Sequence, residues 1–148
     1  MKIKDVMTRG VQTVRPGQSL QEAAAKMKSL DVGPLPVCEN DRLVGIITDR
    51  DIVLRAAADG RDLRQTKVRE AMTGEVICCT EDDDVKAAAS TMKDRQVRRL
   101  MVVDGNKKLA GIVSLGDLAV DTSDEKMSGR VLEEVSKPSK PQAAGTRS

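Results

Sequence analysis

The sequence predicts an α/β protein built from two similar halves, on three observations. The chain repeats itself at a spacing of 65 residues. Within each copy the apolar pattern switches between strand and helix periods. The 148 residues, 39% hydrophobic and 32% charged, supply apolar material for one core or two small ones. With no Phe, Tyr or Trp, that core must consist of Val, Ile, Leu, Met and Ala. A flat ligand ring would then lie against aliphatic side chains.

The repeat can be followed residue by residue. Ile3-Lys4-Asp5-Val6-Met7-Thr8 returns in character as Val68-Arg69-Glu70-Ala71-Met72-Thr73, and Val11 returns as Val76. Ala23, Ala24, Met27 and Lys28 return as Ala88, Ala89, Met92 and Lys93. Val32, Leu35 and Val37 return as Val97, Leu100 and Val102. One extra residue near Asn106 moves the spacing to 66, after which Leu43-Val44-Gly45-Ile46-Ile47-Thr48 matches Leu109-Ala110-Gly111-Ile112-Val113-Ser114, and Asp51 matches Asp117.

In the first copy Val11 to Val14 is expected as a short strand, and Pro16-Gly17 turns the chain. Ser19 with Glu22 is a capping box opening a helix whose apolar face is Leu20, Ala23, Ala24, Met27 and Leu30. Gly33-Pro34 stops it. Leu35 to Cys38 and Leu43 to Thr48 form a hairpin around Glu39-Asn40-Asp41-Arg42. A second helix covers Asp49 to Asp59, with Gly60 as its stop. The second copy repeats the order with Val76 to Cys79, a helix capped near Asp84 and carrying Val85, Ala88, Ala89 and Met92, then Arg99 to Val103, Leu109 to Ser114 and a helix from Leu115. The first copy is thus residues 1–60, the connector 61–66, the second copy 67–120 and a tail 121–148. In the tail only Val131, Leu132 and Val135 keep helical spacing, and from Ser136 its composition predicts disorder. Each β-α-β-β-α copy makes a sheet with helices on one side, and two copies packed sheet to sheet would bury the strands.

Composition excludes several functions. The 25 basic and 23 acidic residues, net +2, are interspersed, so there is neither a phosphate-tracking stripe nor an aromatic stacking platform for nucleic acid. The chain has no histidine and three cysteines, Cys38, Cys78 and Cys79. That is short of a tetrahedral zinc set, and neighbouring strand cysteines diverge. The cysteines fit small thiols of a reducing compartment, with a redox or dimer-linking role left open for Cys38. Met1 to Thr8 lacks an apolar signal region and no run reaches membrane-spanning length, so a cytoplasmic protein without membrane partners is expected. No glycine-rich phosphate loop, paired acid or cysteine beside a base suggests catalysis.

Taken together, Val6-Met7-Thr8 with Ala71-Met72-Thr73, Val32-Gly33-Pro34-Leu35-Pro36-Val37 with Val97-Arg98-Arg99-Leu100-Met101-Val102, and Gly45-Ile46-Ile47-Thr48-Asp49-Arg50-Asp51 with Gly111-Ile112-Val113-Ser114-Leu115-Gly116-Asp117 resemble a tandem cystathionine-beta-synthase (CBS) domain pair, or Bateman module. The likeness spans roughly residues 2 to 120. It implies clefts between the copies that bind adenosine-containing ligands such as AMP, ADP, ATP, NAD or S-adenosylmethionine, none of them required as a cofactor. One cleft would use Thr13, Gly33, Pro36, Thr48 and Asp51. The other would use Cys78, Arg99, Met101, Ser114 and Asp117.

The chemistry of those residues fits such a ligand. A carboxylate can accept both hydroxyl protons of a ribose diol, and a Thr or Ser at a helix start adds a hydroxyl beside backbone N–H groups that favour phosphate. Arg98 and Arg99 would offset the repulsion between aspartate and phosphate, and since adjacent strand residues diverge, Arg99 is favoured for the ligand. Two plainer roles stand beside these: Thr48-x-x-Asp51 and Ser114-x-x-Asp117 as helix capping boxes, and the two arginines as a solvated strand edge. Because Pro34 and Pro36 become Arg99 and Met101, the two clefts should differ. The leading function is a regulatory, ligand-sensing module that acts on an unknown target protein. The alternative is a ligand-independent, dimeric interaction or stress protein. Either would be a homodimer, with the stripes Leu20, Ala23, Met27 and Val85, Ala88, Met92 offering close helix approach.

Overall fold

The computed structural model describes residues 1–121, with side chains through Ala119. The predicted tail helix at Val131, Leu132 and Val135 lies outside the described residues. The chain divides into two compact units. The first unit is Gln12–Val76; the second joins Met1–Val11 to the described residues from Ile77.

In the first unit α1 (Leu20–Leu30) is followed by the antiparallel strands β1 (Pro34–Glu39) and β2 (Arg42–Thr48), then by α2 (Asp49–Arg55). Asn40 and Asp41 both take positive φ, 53° and 67°, as a two-residue hairpin turn of matching twist requires. Val14 bridges Val37 in parallel on one side of the hairpin, and Thr73 bridges Ile46 antiparallel on the other. The core gathers Val14, Leu20, Ala23, Met27, Leu35, Val37, Ile47, Ile52, Ala56, Val68 and Ala71.

The second unit has the same plan: β3 (Cys78–Thr80), α3 (Val85–Arg95), β4 (Arg99–Val103), β5 (Leu109–Ser114) and α4 (Leu115–Asp121). β3 runs parallel to β4, β4 antiparallel to β5, and Thr8 bridges Ile112 at the far edge. Its core contains Ile3, Val6, Cys79, Val85, Ala88, Ala89, Met92, Leu100, Val102, Val113 and Leu118.

Each lead-in segment therefore belongs to the unit whose strands come from the other copy. Two glycines make room for it. A Cβ on Gly45 would stand 2.8 Å from the Thr73 carbonyl oxygen and 2.9 Å from the Met72 sulfur, and a Cβ on Gly111 would collide with the Thr8 carbonyl oxygen. A side chain at either position would push the bridging segment off the sheet edge.

Four local expectations change. The strand expected at Val11 to Val14 shrinks to a single bridge at Val14, because the turn closed by Gln18 N–H on the Arg15 carbonyl takes the chain away at once. Ser19 caps α1 by accepting from Glu22 N–H, but the Glu22 carboxylate accepts from Gln18 Nε2, so the box is half formed. α1 ends at Asp31, φ 54°, ahead of Gly33-Pro34. The expected helix from Asp49 to Asp59 breaks at Ala56 into α2 and a 3-10 turn, with Gly60 (φ 72°) ending it as predicted.

The stripes assigned to dimer contact are core instead. Leu20, Ala23, Met27, Val85, Ala88 and Met92 are all buried within their own units. A helix with a narrow apolar face spends it on the sheet it covers. Apart from Met1, the exposed large hydrophobics among the described residues are Leu30, Val32, Val53 and Leu54, at the end of α1 and on α2.

Candidate ligand site

Strand alternation sorts the candidate residues. In β4, Leu100 and Val102 enter the second unit's core, so Arg99 and Met101 point to the opposite face. Residues paired directly across a ladder share a face, and Arg99 is paired with Ser114, Met101 with both Ile112 and Cys78. Cys78, Arg99, Met101 and Ser114 thus share one face of a single sheet. Met101 is buried, Arg99 and Ser114 are half-buried and Cys78 is exposed. Burial draws the Arg99 guanidinium below its ordinary pKa and pushes the Cys78 thiol above its own. Arg98, one residue before the strand, is exposed, and its carbonyl accepts from Leu115 N–H at 2.7 Å.

The first unit repeats the arrangement with different chemistry. Leu35, Val37 and Ile47 enter the core, leaving Pro34, Pro36, Ile46 and Thr48 on the other face, with Pro34 opposite Thr48 and Pro36 opposite Ile46. Thr13, half-buried, precedes the Val14 bridge and lies in no strand; its carbonyl accepts from Lys26 Nζ at 2.6 Å. Gly33 receives the N–H of Asp49 on its carbonyl at 3.0 Å, the counterpart of the Arg98–Leu115 bond. In both units this bond satisfies a first-turn N–H that the helix cannot.

Both Thr/Ser-x-x-Asp motifs are complete capping boxes. Thr48 Oγ1 accepts from Asp51 N–H at 3.1 Å while Asp51 Oδ2 accepts from Thr48 N–H at 3.0 Å. Ser114 Oγ and Asp117 Oδ2 do the same at 3.1 and 2.8 Å. The environments differ. Asp51 is 3% exposed and its Oδ1 lies 3.7 Å from Arg55 Nε. Asp117 is half-buried, and the residue four places on is Asp121 rather than an arginine. Arg55 also donates from Nη1 to the carbonyls of Ala71 and Met72, at 3.2 and 3.4 Å. It thereby links the first box to the segment that pairs with β2.

Sequence reasoning passed over Arg55, the two glycines and the bridging threonines. Met-Thr at 7–8 and at 72–73 stood out as a repeat, but nothing local shows which sheet edge it joins. Among the described residues no group of three or more Cys, Asp or Glu could hold a metal ion, and no helix is long and apolar enough to cross a membrane.

Two α/β units, each closing its last hairpin with a Thr/Ser-x-x-Asp box on a sheet face turned from its core, define a paired-repeat module. The chain belongs to the CBS domain family, whose model matches residues 3–57 and 68–120. It is 46% identical over 134 residues to the CBS domain-containing protein YhcV of Bacillus subtilis, covering 90% of this chain and 94% of that one. Among solved structures it is similar to Hypoxic Response Protein I with two coordinated zinc ions (TM-score 0.74, 32% identity, 82% and 99% of the two chains). It is also similar to the CBS domain pair of protein MJ0100 in complex with 5'-methylthioadenosine and S-adenosyl-L-methionine (TM-score 0.69, 30% identity, 81% and 94%).

Proposed function

We propose that this chain is a regulatory module that binds an adenosine-containing ligand, without turnover, on the sheet faces carrying Thr48 and Asp51 in one unit and Ser114 and Asp117 in the other. The observation that carries this is the gathering of Cys78, Arg99, Met101 and Ser114 on one face by ladder register, with Pro34, Pro36 and Thr48 gathered likewise. The ligands of the MJ0100 pair, both adenosine derivatives, support the choice of class. Each capping box leaves acceptor capacity on the aspartate and a donor hydroxyl on Thr48 or Ser114, the two functions a ribose needs. Arg99 suits a phosphate on the second unit's ligand, whereas Pro34 gives the first unit's face no such charge.

Signalling requires a partner, and the exposed Leu30, Val53 and Leu54 of helices α1 and α2, which pack together, with Val32 just after α1, offer a second copy of the chain an apolar surface. Nucleic acid and membrane are not among the proposed partners. A second reading, a ligand-independent dimeric interaction protein, draws on the internally completed box at the buried Asp51. A thermal-shift series with AMP, ATP, NAD, adenosine and S-adenosylmethionine separates the two. A ligand at 100 times its Kd should stabilise the fold by about 2.7 kcal/mol, and the second reading expects no shift from any of them.

A further inference from the structure

The two units seat a 3-10 turn on the loop before their first helix in the same way. In the second unit the turn Ile3–Asp5 donates from Ile3 N–H to the Asp83 carbonyl at 2.9 Å and from Lys4 N–H to the Glu81 carbonyl at 3.0 Å. In the first unit Val68–Glu70 donates from Val68 N–H to the Gln18 carbonyl at 2.8 Å and from Arg69 N–H to the Pro16 carbonyl at 3.1 Å. The receiving loops match as well: Asp83 Oδ2 accepts from Thr80 N–H at 2.9 Å, and Gln18 Oε1 accepts from Arg15 N–H at 2.8 Å. The same backbone bonds thus set Lys67 and Arg69 beside Gly17 as Lys2 and Lys4 stand beside Asp82. The side chains then part ways. Lys2 Nζ and Lys4 Nζ lie 3.8 and 3.6 Å from Asp82 Oδ1. The first unit keeps both cations but has Gly17 in place of the acid, and a Cβ added there would meet nothing within 4 Å. Among the described residues neither Lys67 Nζ nor the Arg69 guanidinium has an ion-pair partner. Glu70, between them in sequence, is already engaged, accepting from Lys67 N–H and from Arg61 Nη2, both at 2.6 Å. Those two bonds, the Lys67 N–H foremost, hold its carboxyl below the usual range, and Arg69 adds a lesser through-space contribution. Gly17 also lines a cavity of about 510 Å³, within the size range of small-molecule sites, walled in addition by Arg15, Glu22, Glu39 and Asn40.

We propose that Lys67 and Arg69, beside the open turn at Gly17, form an oxyanion site for the carboxylate or phosphate of a small molecule whose remainder occupies the adjoining cavity. The site uses none of the residues assigned to adenosine and does not depend on that reading. In the second unit the chain supplies the anion itself, as Asp82; in the first unit the same pair of cations takes it from outside. Lys67 brings a compact charge and Arg69 a planar fork that matches two oxygens of either group. The oxygens of Glu22, Glu39 and Asn40 accept hydrogen bonds, so the remainder of the ligand carries hydroxyl or amine donors.

The test follows the backbone amides of the full chain by NMR as inorganic phosphate or acetate is added at constant ionic strength, with chloride as the baseline. At least one of the two should shift the amides of Gly17, Gln18 and Lys67 to Arg69 saturably, and the tighter of them identifies the group the site prefers. Reading amide by amide keeps this response apart from any phosphate held near Arg99. Lys67→Gln and Arg69→Gln should each weaken the response about two- to fivefold, the worth of one exposed ion pair. Gly17→Asp, which builds into this turn the carboxylate that the other unit carries, should abolish it. Gly17→Asn, of the same size without the charge, should keep it. A response no larger than that to chloride at these amides overturns the proposal, as does unchanged binding in Gly17→Asp or an equal loss in Gly17→Asn.

Discussion

Arg99 stands directly across the β4–β5 ladder from Ser114, and at the same place in the other unit Pro34 stands across from Thr48. One sheet position thus carries a half-buried cation in one unit and an uncharged ring in the other. Burial works against the charged form of Arg99, and an anion brought beside it would favour that form. Arg99→Gln should weaken a phosphorylated nucleotide about ten- to a hundredfold at the second unit's site, the range of a charge-assisted hydrogen bond, and leave adenosine nearly unchanged. Calorimetry with AMP and adenosine at two salt concentrations checks this, since only the phosphorylated ligand should weaken as salt rises.

The two aspartates should respond unequally to truncation. Asp51 is buried, completes its box and lies beside Arg55, so Asp51→Ala leaves a buried Thr48 N–H and costs about 1–3 kcal/mol of stability. Asp117 is half-buried, and its alanine variant should cost about 1 kcal/mol, the usual worth of a cap. Each should also lower ligand affinity at its own unit. Urea unfolding and calorimetry on the same preparations separate the structural loss from the binding loss.

Gly45→Ala and Gly111→Ala test the seating of the lead-in segments. Each added methyl meets backbone that cannot rotate aside, so both variants should lose roughly 1–3 kcal/mol of stability. Amide exchange should show the loss first at Thr73 for Gly45→Ala and at Thr8 for Gly111→Ala. Gly17→Ala, whose new Cβ would meet nothing within 4 Å, serves as the control.

Self-association should run through the exposed apolar residues of α1 and α2. Light scattering of the unmodified chain is expected to give about twice the 16.0 kDa chain mass at micromolar concentration. Leu54→Glu should return it to one chain mass without unfolding it, because Leu54 is 49% exposed. A monomeric unmodified chain would rule out the homodimer.

The order of elements in each half was legible because it is written locally. Capping residues precede the helices, glycine ends the 3-10 turn after α2, and the polar Asn40-Asp41 pair marks the hairpin. Alternation along β4 separates Arg99 from Arg98 by spacing alone, whereas Ser114 joined the set through the family resemblance and only the β4–β5 register puts it opposite Arg99. What escaped was long-range. The apolar stripe of α1 looks the same whether it meets a sheet or a second copy, and only the burial of Leu20, Ala23 and Met27 decides for the sheet. Likewise Thr73 and Arg55 act through partners at Ile46 and at Ala71 and Met72, and no periodicity records those pairings.

The central claim is that the two Thr/Ser-x-x-Asp boxes, besides capping helices, bind an adenosine-containing ligand. Titration calorimetry of the full chain against AMP, ATP, NAD, adenosine and S-adenosylmethionine tests it most directly, with the Asp51→Ala/Asp117→Ala double variant alongside. Saturable binding of at least one of these ligands to the unmodified chain is expected, and its loss in the double variant, with the variant still folded. No binding by any of the five, or equal affinity in the folded double variant, would contradict it.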